Sequence, residues 1–403
     1  MILRPITLLA MIVSIVTGVA LGIAGYGHWR ASQIDHASLA QFESVLHHVR
    51  QNYVEEMSDE ALLSGALNGM LQSLDPHSVY LEASEFEDLQ AETTGHFGGI
   101  GIELGLIDGY FTVISPIDNT PAARAGLRSG DRILEIDQVS LRGESLIEVL
   151  HKMRGEPGTR IKLKYRHPSS TRIKNVTLKR ETIAVESVRG RWLEPGYLYL
   201  RISQFQTTTG QDFQRAINKL GRASEAEIAG LVLDLRNNPG GVLQASVAVA
   251  DALLDDGLIV YTEGRLPSSK LKYRAAGKDV LKGAPIAVLI NHGSASASEI
   301  VAGALKDHGR ATLIGETSYG KGSVQSLVPL NDERAIKLTT AYYYTPSGRS
   351  IHKLGIEPDV EFPDNGEHED FDQALLTLAV SRLKQSPQTP GTAATEEELQ
   401  AQL

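Results

Sequence analysis

Residues 287–299 read AVLINHGSASASE, and this stretch decides how the rest of the chain is interpreted. Ala287–Ile290 is an apolar run typical of a buried strand, and the small polar residues after it indicate a turn. A serine at a turn from a strand into a helix suits acyl transfer, because the next N–H and the helix dipole both face developing negative charge. Spacing alone does not distinguish Ser294, Ser296 and Ser298.

The same turn has simpler interpretations that remain open at this point. Ser298 and Glu299 together fit the ordinary capping of a helix N-terminus. His292 precedes the turn and has no aspartate partner that the sequence can assign, so we interpret it as a turn residue.

Strand and helix patterns alternate from Glu181 to Glu361, which predicts an α/β layer with parallel strands. The predicted elements are strand Leu198–Phe205, helix Gln211–Leu220, strand Ile228–Leu235, helix Ala245–Leu254, strand Ile286–Ile290 and helix Ala297–His308. Sites in such sheets gather at the carboxyl ends of strands. Two loops are predicted there, the serine turn and residues 234–241, DLRNNPGG.

Residues 315–322, GETSYGKG, match the phosphate-loop pattern as far as Lys321. The match then fails, because Gly322 replaces the Ser or Thr that holds magnesium, and the strand-like residues 324–328 replace the required helix. A nucleotide hydrolase is therefore excluded. A lysine between glycines in an apolar stretch is instead expected to be desolvated, which lowers its pKa until it can act as the base for a serine.

Upstream, residues 95–105, GHFGGIGIELG, lead into further strand and so do not form a dinucleotide-binding fingerprint. A short helix ended by glycine follows at residues 121–127, then GDRILEI at 130–136 and a second helix to about Met153. This run of about 85 residues resembles a PDZ domain, a β-rich fold with two helices. Glycines that serve only a tight hairpin are the alternative.

The resemblance implies that a glycine-rich loop binds the C-terminal carboxylate of a peptide, which adds a strand to the sheet edge. The implied loop consists of Phe97, Gly98, Gly99, Ile100, Gly101 and Ile102. The peptide is expected to end in an apolar side chain.

The N-terminus predicts export. Ile6–Tyr26 carries no charge, and its 21 residues would span about 30 Å as a helix, enough to cross a bilayer. We therefore expect an anchor in the inner membrane with the catalytic part in the periplasm or another extracytoplasmic space. A cleaved signal peptide, with Ala20–Gly22 as a loose cleavage site, is the alternative and would release the protein into the periplasm.

Residues 31–94 predict a helical section, in which five apolar residues at helical spacing form one stripe, namely Phe42, Val45, Leu46, Val49 and Tyr53. The turn LDPHS at residues 74–78 is expected to end a helix, because Pro76 disfavours helical geometry before it. Beyond Val360, one more helix is predicted from about Phe371 to Lys384, followed by a disordered polar tail.

Composition excludes several classes of protein. The chain has 39 Lys and Arg against 49 Asp and Glu, a net charge of −10, which argues against nucleic-acid binding. It has no cysteine, so it lacks disulfides, thiolate nucleophiles and thiolate metal ligands. No H-E-x-x-H motif is present, and we predict no metal and no cofactor.

Three stretches in fixed order, residues 234–241, 293–300 and 320–325, resemble the carboxyl-terminal processing peptidases, which are Ser/Lys proteases with an embedded PDZ domain. The resemblance extends from about Phe42 to Val360 and includes residues 74–78, 344–351 and 355–359. It implies a multidomain α/β protein. The implied divisions are a membrane segment (1–30), a helical section (31–94), the PDZ domain (95–180), the peptidase core (181–361) and a C-terminal helix with its tail (362–403).

The resemblance also implies the site residues. Ser296 would be the nucleophile, Lys321 the general base and Gln325 the residue that orients the lysine. The N–H of Ala297 and one N–H from Gly240 or Gly241 would form the oxyanion hole.

One of these roles depends on local geometry. On a straight strand the backbones of Lys321 and Gln325 would lie about 13 Å apart, so their side chains meet only if Gly320 or Gly322 allows a kink or bulge.

The implied function is a serine endopeptidase that recognises the C-terminal tails of exported proteins and cleaves them through an acyl-enzyme. Its expected partners are proteins with apolar C-termini and the membrane, with a homodimer or an adaptor protein as further candidates. The rival interpretation from another class is a catalytically silent, membrane-anchored PDZ adaptor, because a fold alone does not establish activity.

Overall fold

The computed structural model describes residues 36–117, 119–170, 172–224, 226–331, 333–363 and 370–386. The predicted membrane segment, Ile6–Tyr26, and the predicted tail beyond residue 386 lie outside these residues. Among the helices that are described, none is both long enough and apolar enough to cross a bilayer. The chain divides into two compact units, Met1–Pro76 and His77–Leu403.

The first unit contains helices α1 (His36–Asn52) and α2 (Asp59–Gln72). The predicted helical pattern is confirmed here, although α1 ends one residue before Tyr53. Two members of the predicted apolar stripe, Phe42 and Val45, are 47% and 56% exposed. The helix α2 ends before the turn that contains Pro76, as predicted.

The second unit begins with strand β1 (Val79–Leu81) and helix α3 (Ala83–Thr94). The prediction that residues 31–94 are helical is wrong at β1, which pairs antiparallel with residues 335–337 near the other end of the chain. Three residues are too short a run for local periodicity to reveal. Their partner is remote in sequence, so only the folded chain identifies them as a strand.

The segment predicted to be a PDZ domain is rich in antiparallel strands and contains two helices, as the resemblance implies. Its elements are β2 (His96–Gly99), β3 (Ile102–Ile107), β4 (Tyr110–Pro116), α4 (Pro121–Arg124), β5 (Arg132–Ile136), β6 (Val139–Ser140), α5 (Leu146–Met153), β7 (Arg160–Arg166), β8 (Lys174–Lys179) and β9 (Glu181–Ala184). The main sheet has the strand order β3-β4-β5-β7-β8, with β6 beside β5. Strands β2 and β9 pair with each other in a separate two-stranded sheet. The chain enters this domain through β2 and leaves it through β9.

The remaining part of the unit contains the predicted α/β layer. Its elements are β10 (Val188–Glu194), β11 (Tyr197–Ile202), α6 (Thr209–Arg222), β12 (Gly230–Asp234), α7 (Leu243–Asp251), β13 (Gly257–Gly264), β14 (Lys272–Ala275), β15 (Ile286–Ile290), α8 (Ala297–Asp307), β16 (Ala311–Gly315), β17 (Ser323–Pro329), β18 (Ala335–Tyr344), β19 (Val360–Glu361) and α9 (Phe371–Gln385). The predicted strands and helices are confirmed within a few residues, and β15 has the predicted bounds.

One sheet of this part has the strand order β10-β11-β12-β15-β16-β19 and is parallel from β11 onward. Strands β12 and β15 are buried at every position, because helices α6, α7 and α8 cover one face and α9 covers the other. The carboxyl ends of β12 and β15 therefore lie side by side and bring their following loops together.

A second, antiparallel sheet has the order β1-β18-β13-β14, with β17 also beside β18. The alternating pattern did not predict this sheet, although residues 324–328 were recognised as strand-like. The sheet matters for the site because β17 begins two residues after Lys321. It therefore fixes the lysine loop against the parallel layer.

Candidate active site

The loops that follow β12 and β15 are joined by hydrogen bonds. The Asn237 N–H donates to Asn291 Oδ1 at 2.9 Å, and the Ala295 N–H donates to the Asn238 carbonyl at 3.0 Å. Asn238 is fully buried and also donates its side-chain amide to the Ile202 carbonyl at 2.8 Å. These hydrogen bonds hold the DLRNNPGG loop, residues 234–241, against the serine turn.

The three serines of the turn have different environments. Ser294 Oγ donates to the Leu235 carbonyl at 2.8 Å, and Ser298 Oγ donates to the Asn238 carbonyl at 3.0 Å. The Ser296 hydroxyl has no backbone acceptor among the described residues. It therefore differs from its neighbours in that its proton is not committed to a backbone carbonyl.

Ser296 also has an unusual backbone, with φ 55° and ψ −112° at the N-cap of α8. A non-glycine residue in this region is strained, and such strain persists at functional sites when the surrounding structure fixes it. The side chain of Ser296 lies beside the hydroxyl of Tyr343, whose pKa burial raises to about 12. Tyr343 is 5% exposed, so its hydroxyl stays protonated at neutral pH.

Two backbone N–H groups of these loops have no acceptor within the described part of the chain, those of Ala297, which follows Ser296, and of Gly241. The N–H of Gly240, by contrast, donates to Asn238 Oδ1 at 2.9 Å. A Cβ added to Gly240 would lie 2.8 Å from Ser296 Cβ and 3.0 Å from the Ala297 nitrogen. Of the two glycines that the resemblance left open, Gly241 is therefore the one whose N–H has no acceptor in the described residues. Gly240 lacks a side chain where its backbone passes close to Ser296.

Lys321 lies in the loop between β16 and β17. The predicted failure of the phosphate-loop pattern is confirmed, since a strand follows where a helix would be required. Burial lowers the pKa of Lys321, the charge of Lys337 lowers it further, and the carboxylate of Glu299 opposes both effects. No hydrogen bond joins Lys321 Nζ to Ser296 Oγ in the described residues.

Gln325 lies on β17 next to an irregularity. The register against β18 shifts between Val324 and Gln325, and the extra residue, Thr340, is on β18 rather than on β17. The Gln325 Nε2 donates to Ser323 Oγ at 2.8 Å and to Thr339 Oγ1 at 3.3 Å. Those bonds orient the amide and leave Oε1 without a donor among the described residues.

The predicted carboxylate-binding loop is divided in the structure. Phe97, Gly98 and Gly99 belong to β2 and pair with β9, and Ile102 starts β3. Between them, the carbonyls of Ile100 and Gly101 accept the N–H groups of residues 122 and 117, and their own N–H groups have no acceptor in the described chain. The donors available to a carboxylate are therefore those of Ile100 and Gly101.

A cavity of about 440 Å³ lies beside this loop, lined by Phe97, Gly98 and parts of α3 and α5. Its charged residues were not identified from the sequence. Asp88 on α3 forms ion pairs with His151, at 3.2 Å, and with Arg154, whose guanidinium also lies over the Phe97 ring. These residues come from three separate segments of the chain, so no single sequence motif predicts that they lie together.

Other predictions on the site can be compared with the structure. His292 is exposed in the turn, and its ring centroid lies 5.7 Å from that of Tyr319. Within the described residues, no cluster of three His, Asp or Glu could hold a metal ion. The buried carboxylate of Glu299 was interpreted from the sequence only as a helix cap.

Three family models match the chain. Residues 196–362 match peptidase family S41, residues 112–167 match the PDZ domain, and residues 26–85 match the N-terminal domain of the activating protease CtpB.

Similar proteins carry related names. A carboxy-terminal-processing protease of Bartonella bacilliformis is 44% identical over 355 residues, which cover 87% of this chain and 81% of the relative. The carboxy-terminal processing protease CtpB of Bacillus subtilis is 36% identical over 329 residues, covering 80% of this chain and 67% of that protein. The solved photosystem II D1 C-terminal processing protease is 31% identical with a TM-score of 0.48, covering 83% of this chain and 90% of that one.

Proposed function

Since the chain belongs to the carboxy-terminal processing proteases, with an S41 peptidase domain and a PDZ domain, we propose that it is a serine endopeptidase of the Ser/Lys type that selects exported proteins by their C-terminal tails. The observation that carries the proposal is the strained turn at Ser296. Its hydroxyl has no backbone acceptor within the described chain, and the N–H of the next residue, Ala297, has none there either.

In the proposed reaction, Ser296 Oγ attacks the carbonyl carbon of the scissile bond while Lys321 Nζ takes the serine proton. The Tyr343 hydroxyl is hydrogen-bonded to Ser296 Oγ and stays protonated, so it does not take the serine proton, which is left to the lysine. Lysine and serine must come within hydrogen-bond reach in the substrate complex, and such contacts are often longer in a free enzyme.

The oxyanion of the tetrahedral intermediate would accept hydrogen bonds from the N–H groups of Ala297 and Gly241. Collapse of this intermediate breaks the peptide bond, and Lys321 returns its proton to the leaving amine. Water then attacks the acyl-enzyme with Lys321 again as the base. This step releases the new carboxyl terminus and restores Ser296.

Gln325 has a narrower role in this proposal. Its two hydrogen bonds to Ser323 and Thr339 fix the amide plane, and its free Oε1 is the acceptor that could hold the Lys321 ammonium.

Tail recognition is proposed for the PDZ domain. The unpaired N–H groups of Ile100 and Gly101 suit a terminal carboxylate.

The test uses the full-length protein in detergent with one unstructured polypeptide in two forms, ending in a free leucine carboxylate or in the leucine amide. We expect internal cleavage, measured by fragment masses, that is faster for the free carboxylate. Equal cleavage of both forms would refute tail recognition but not the peptidase. Binding of the carboxylate form without any fragments would instead support the silent adaptor.

A glycine substitution tests the crowding around the nucleophile. Gly240→Ala is expected to lower kcat by about 10²- to 10³-fold, because the new methyl group would displace Ser296 and the Ala297 nitrogen from the oxyanion geometry. Gly309→Ala is the matched control, since Gly309 also has a positive φ of 59° but has open space around it. Steady-state kinetics should show normal turnover for the control, and equal losses in both variants would contradict the interpretation.

A further inference from the structure

The carboxylate of Glu299 is fully buried near the start of α8 and accepts four hydrogen bonds. Its Oε2 accepts from the Ser296 N–H at 2.7 Å and from the Lys321 N–H at 2.9 Å. Its Oε1 accepts from Ser318 Oγ at 2.5 Å and from the Gly320 N–H at 2.7 Å. A single carboxylate thus contacts both the nucleophile turn and the lysine loop.

Helix capping explains only one of these bonds, that from the Ser296 N–H. The other three donors lie in the loop that precedes β17. Ser318 extends the connection, because its Oγ also accepts the Ile356 N–H at 2.7 Å. Glu299 therefore links segments that no local helix-capping requirement would bring together.

The donors also define the chemical state of the group. The N–H groups of Ser296, Gly320 and Lys321 can only donate, so both oxygens of Glu299 act as acceptors. Burial raises the pKa of Glu299 above its ordinary value, and the hydrogen bonds from Ser318 and the three N–H groups, which lower it, offset this only in part. The number of donors favours the ionised form at neutral pH.

We propose that Glu299 is a positioning residue that holds the backbone of Lys321 at a fixed place relative to Ser296 through one shared carboxylate oxygen. This inference rests on the proposed Ser/Lys chemistry. Glu299 does not touch the substrate in this proposal, and it acts through the two residues that do.

The charge of Glu299 predicts the direction in which the pKa of Lys321 should shift when Glu299 is replaced. The charged groups that act on Lys321 are Lys337 on β18, which lowers its pKa, and Glu299 on α8, which raises it, while burial lowers it most. Neutralising Glu299 should therefore lower the pKa of Lys321. Because the base must be unprotonated, the acidic limb of the pH profile of kcat/KM should move to lower pH.

If Glu299 only stabilised the fold, its replacement would shift the pKa of Lys321 in the opposite direction. Loosening the lysine loop would admit water to Lys321 and return its pKa toward the higher ordinary value. The acidic limb would then move to higher pH. The direction of the shift distinguishes positioning by a charged carboxylate from simple support.

The experiment compares wild type with Glu299→Gln in the full chain. Glutamine has the same shape but can present only one acceptor oxygen, so at least one N–H loses its partner. We expect kcat to fall by about 10²-fold with KM little changed, because a small misplacement near the reacting atoms has that effect. The acidic limb should move to lower pH.

Two variants serve as controls. Ser318→Ala removes one hydroxyl from the network and leaves the three N–H bonds, so it should lose far less activity and leave the pH limb in place. Ser298→Ala breaks a buried bond of the same helical turn without touching Glu299, so it reports the effect of destabilisation alone. If Glu299→Gln does not fold, Glu299→Asp keeps the charge but shortens its reach, and should lower kcat with the limb unmoved.

A second readout does not depend on catalysis. The rate at which an acylating reagent modifies the Lys321 amine, followed by mass spectrometry across pH, reports the pKa of that amine directly. We expect Lys321 to titrate at lower pH in Glu299→Gln than in wild type. An unchanged or higher titration, or a kcat within twofold of wild type, would overturn the positioning role. Absence of cleavage in wild type would overturn the proposed function alone.

Discussion

Replacing Ser296 by alanine is expected to abolish cleavage of an unstructured polypeptide, with kcat falling by about 10⁴- to 10⁶-fold. The substitution removes the oxygen that is proposed to form the acyl-enzyme. It leaves the oxyanion donors and the PDZ domain in place, so tail binding should be retained. The measurements are fragment masses over long incubations and binding of a fluorescent peptide that ends in leucine.

The neighbouring serines supply matched controls for this prediction. Ser294→Ala and Ser298→Ala each remove a buried hydroxyl that donates to a backbone carbonyl, of Leu235 and Asn238 respectively. Each is expected to lower the free energy of unfolding by about 1 to 3 kcal/mol and to leave kcat within about tenfold of wild type. Full activity in Ser296→Ala, or a complete loss confined to one of the control variants, would refute the choice of nucleophile.

The parallel layer could be predicted from the sequence because its signal is local. Each position of β15 is apolar and buried, and a polar turn bounds it on the carboxyl side, so its limits coincide with the predicted Ile286–Ile290. The same reasoning found the two loops at the strand ends. Parallel strands place such loops together whatever the remote parts of the chain do.

The antiparallel sheet could not be predicted in this way. Strand β1 becomes a strand through pairing with residues 335–337, and the order of β13, β14, β17 and β18 depends on contacts that no periodicity records. The choice between Gly240 and Gly241 has the same origin. Both glycines fit the motif, and only the bond from Gly240 to Asn238 Oδ1 shows which N–H is occupied.

Glu299 shows how a local interpretation can be incomplete. The sequence pattern predicted the helix cap at Ser298 and Glu299, whereas in the structure Ser296 and Glu299 form the capping box. The other partners of Glu299 are more than fifteen residues further along the chain, in the lysine loop. The four donors meet at one carboxylate only in the folded chain. The local sequence pattern could therefore predict a helix cap but not the contacts between Glu299 and the lysine loop.

Replacing Lys321 by methionine is expected to abolish cleavage to a similar extent as the loss of Ser296 and, at the same time, to stabilise the fold. Methionine keeps most of the length of the side chain but can accept no proton. The folded-state pKa of Lys321 is lowered by burial, which means that folding disfavours its charged form. Below that pKa the wild type carries a partly buried charge that the variant lacks.

The sign of the pH dependence follows from the same linkage. The cost of the charge is largest at neutral and acidic pH, and it disappears as pH rises through the folded-state pKa toward the ordinary value for lysine. Thermal unfolding should therefore show a higher Tm for Lys321→Met near pH 7, with a smaller difference from wild type at alkaline pH. A Tm below that of wild type at neutral pH would contradict a desolvated lysine.

Lys337→Met is the matched control for Lys321→Met, because it removes the other lysine whose charge acts on this site. Without the positive charge of Lys337, the pKa of Lys321 should rise, so the acidic limb of kcat/KM should move to higher pH while cleavage persists. This shift is opposite to that expected for Glu299→Gln. If Lys321 is the base, removing the charge of Lys337 and removing the charge of Glu299 should shift the acidic limb of kcat/KM in opposite directions. Shifts in the same direction in both variants would exclude Lys321 as the base.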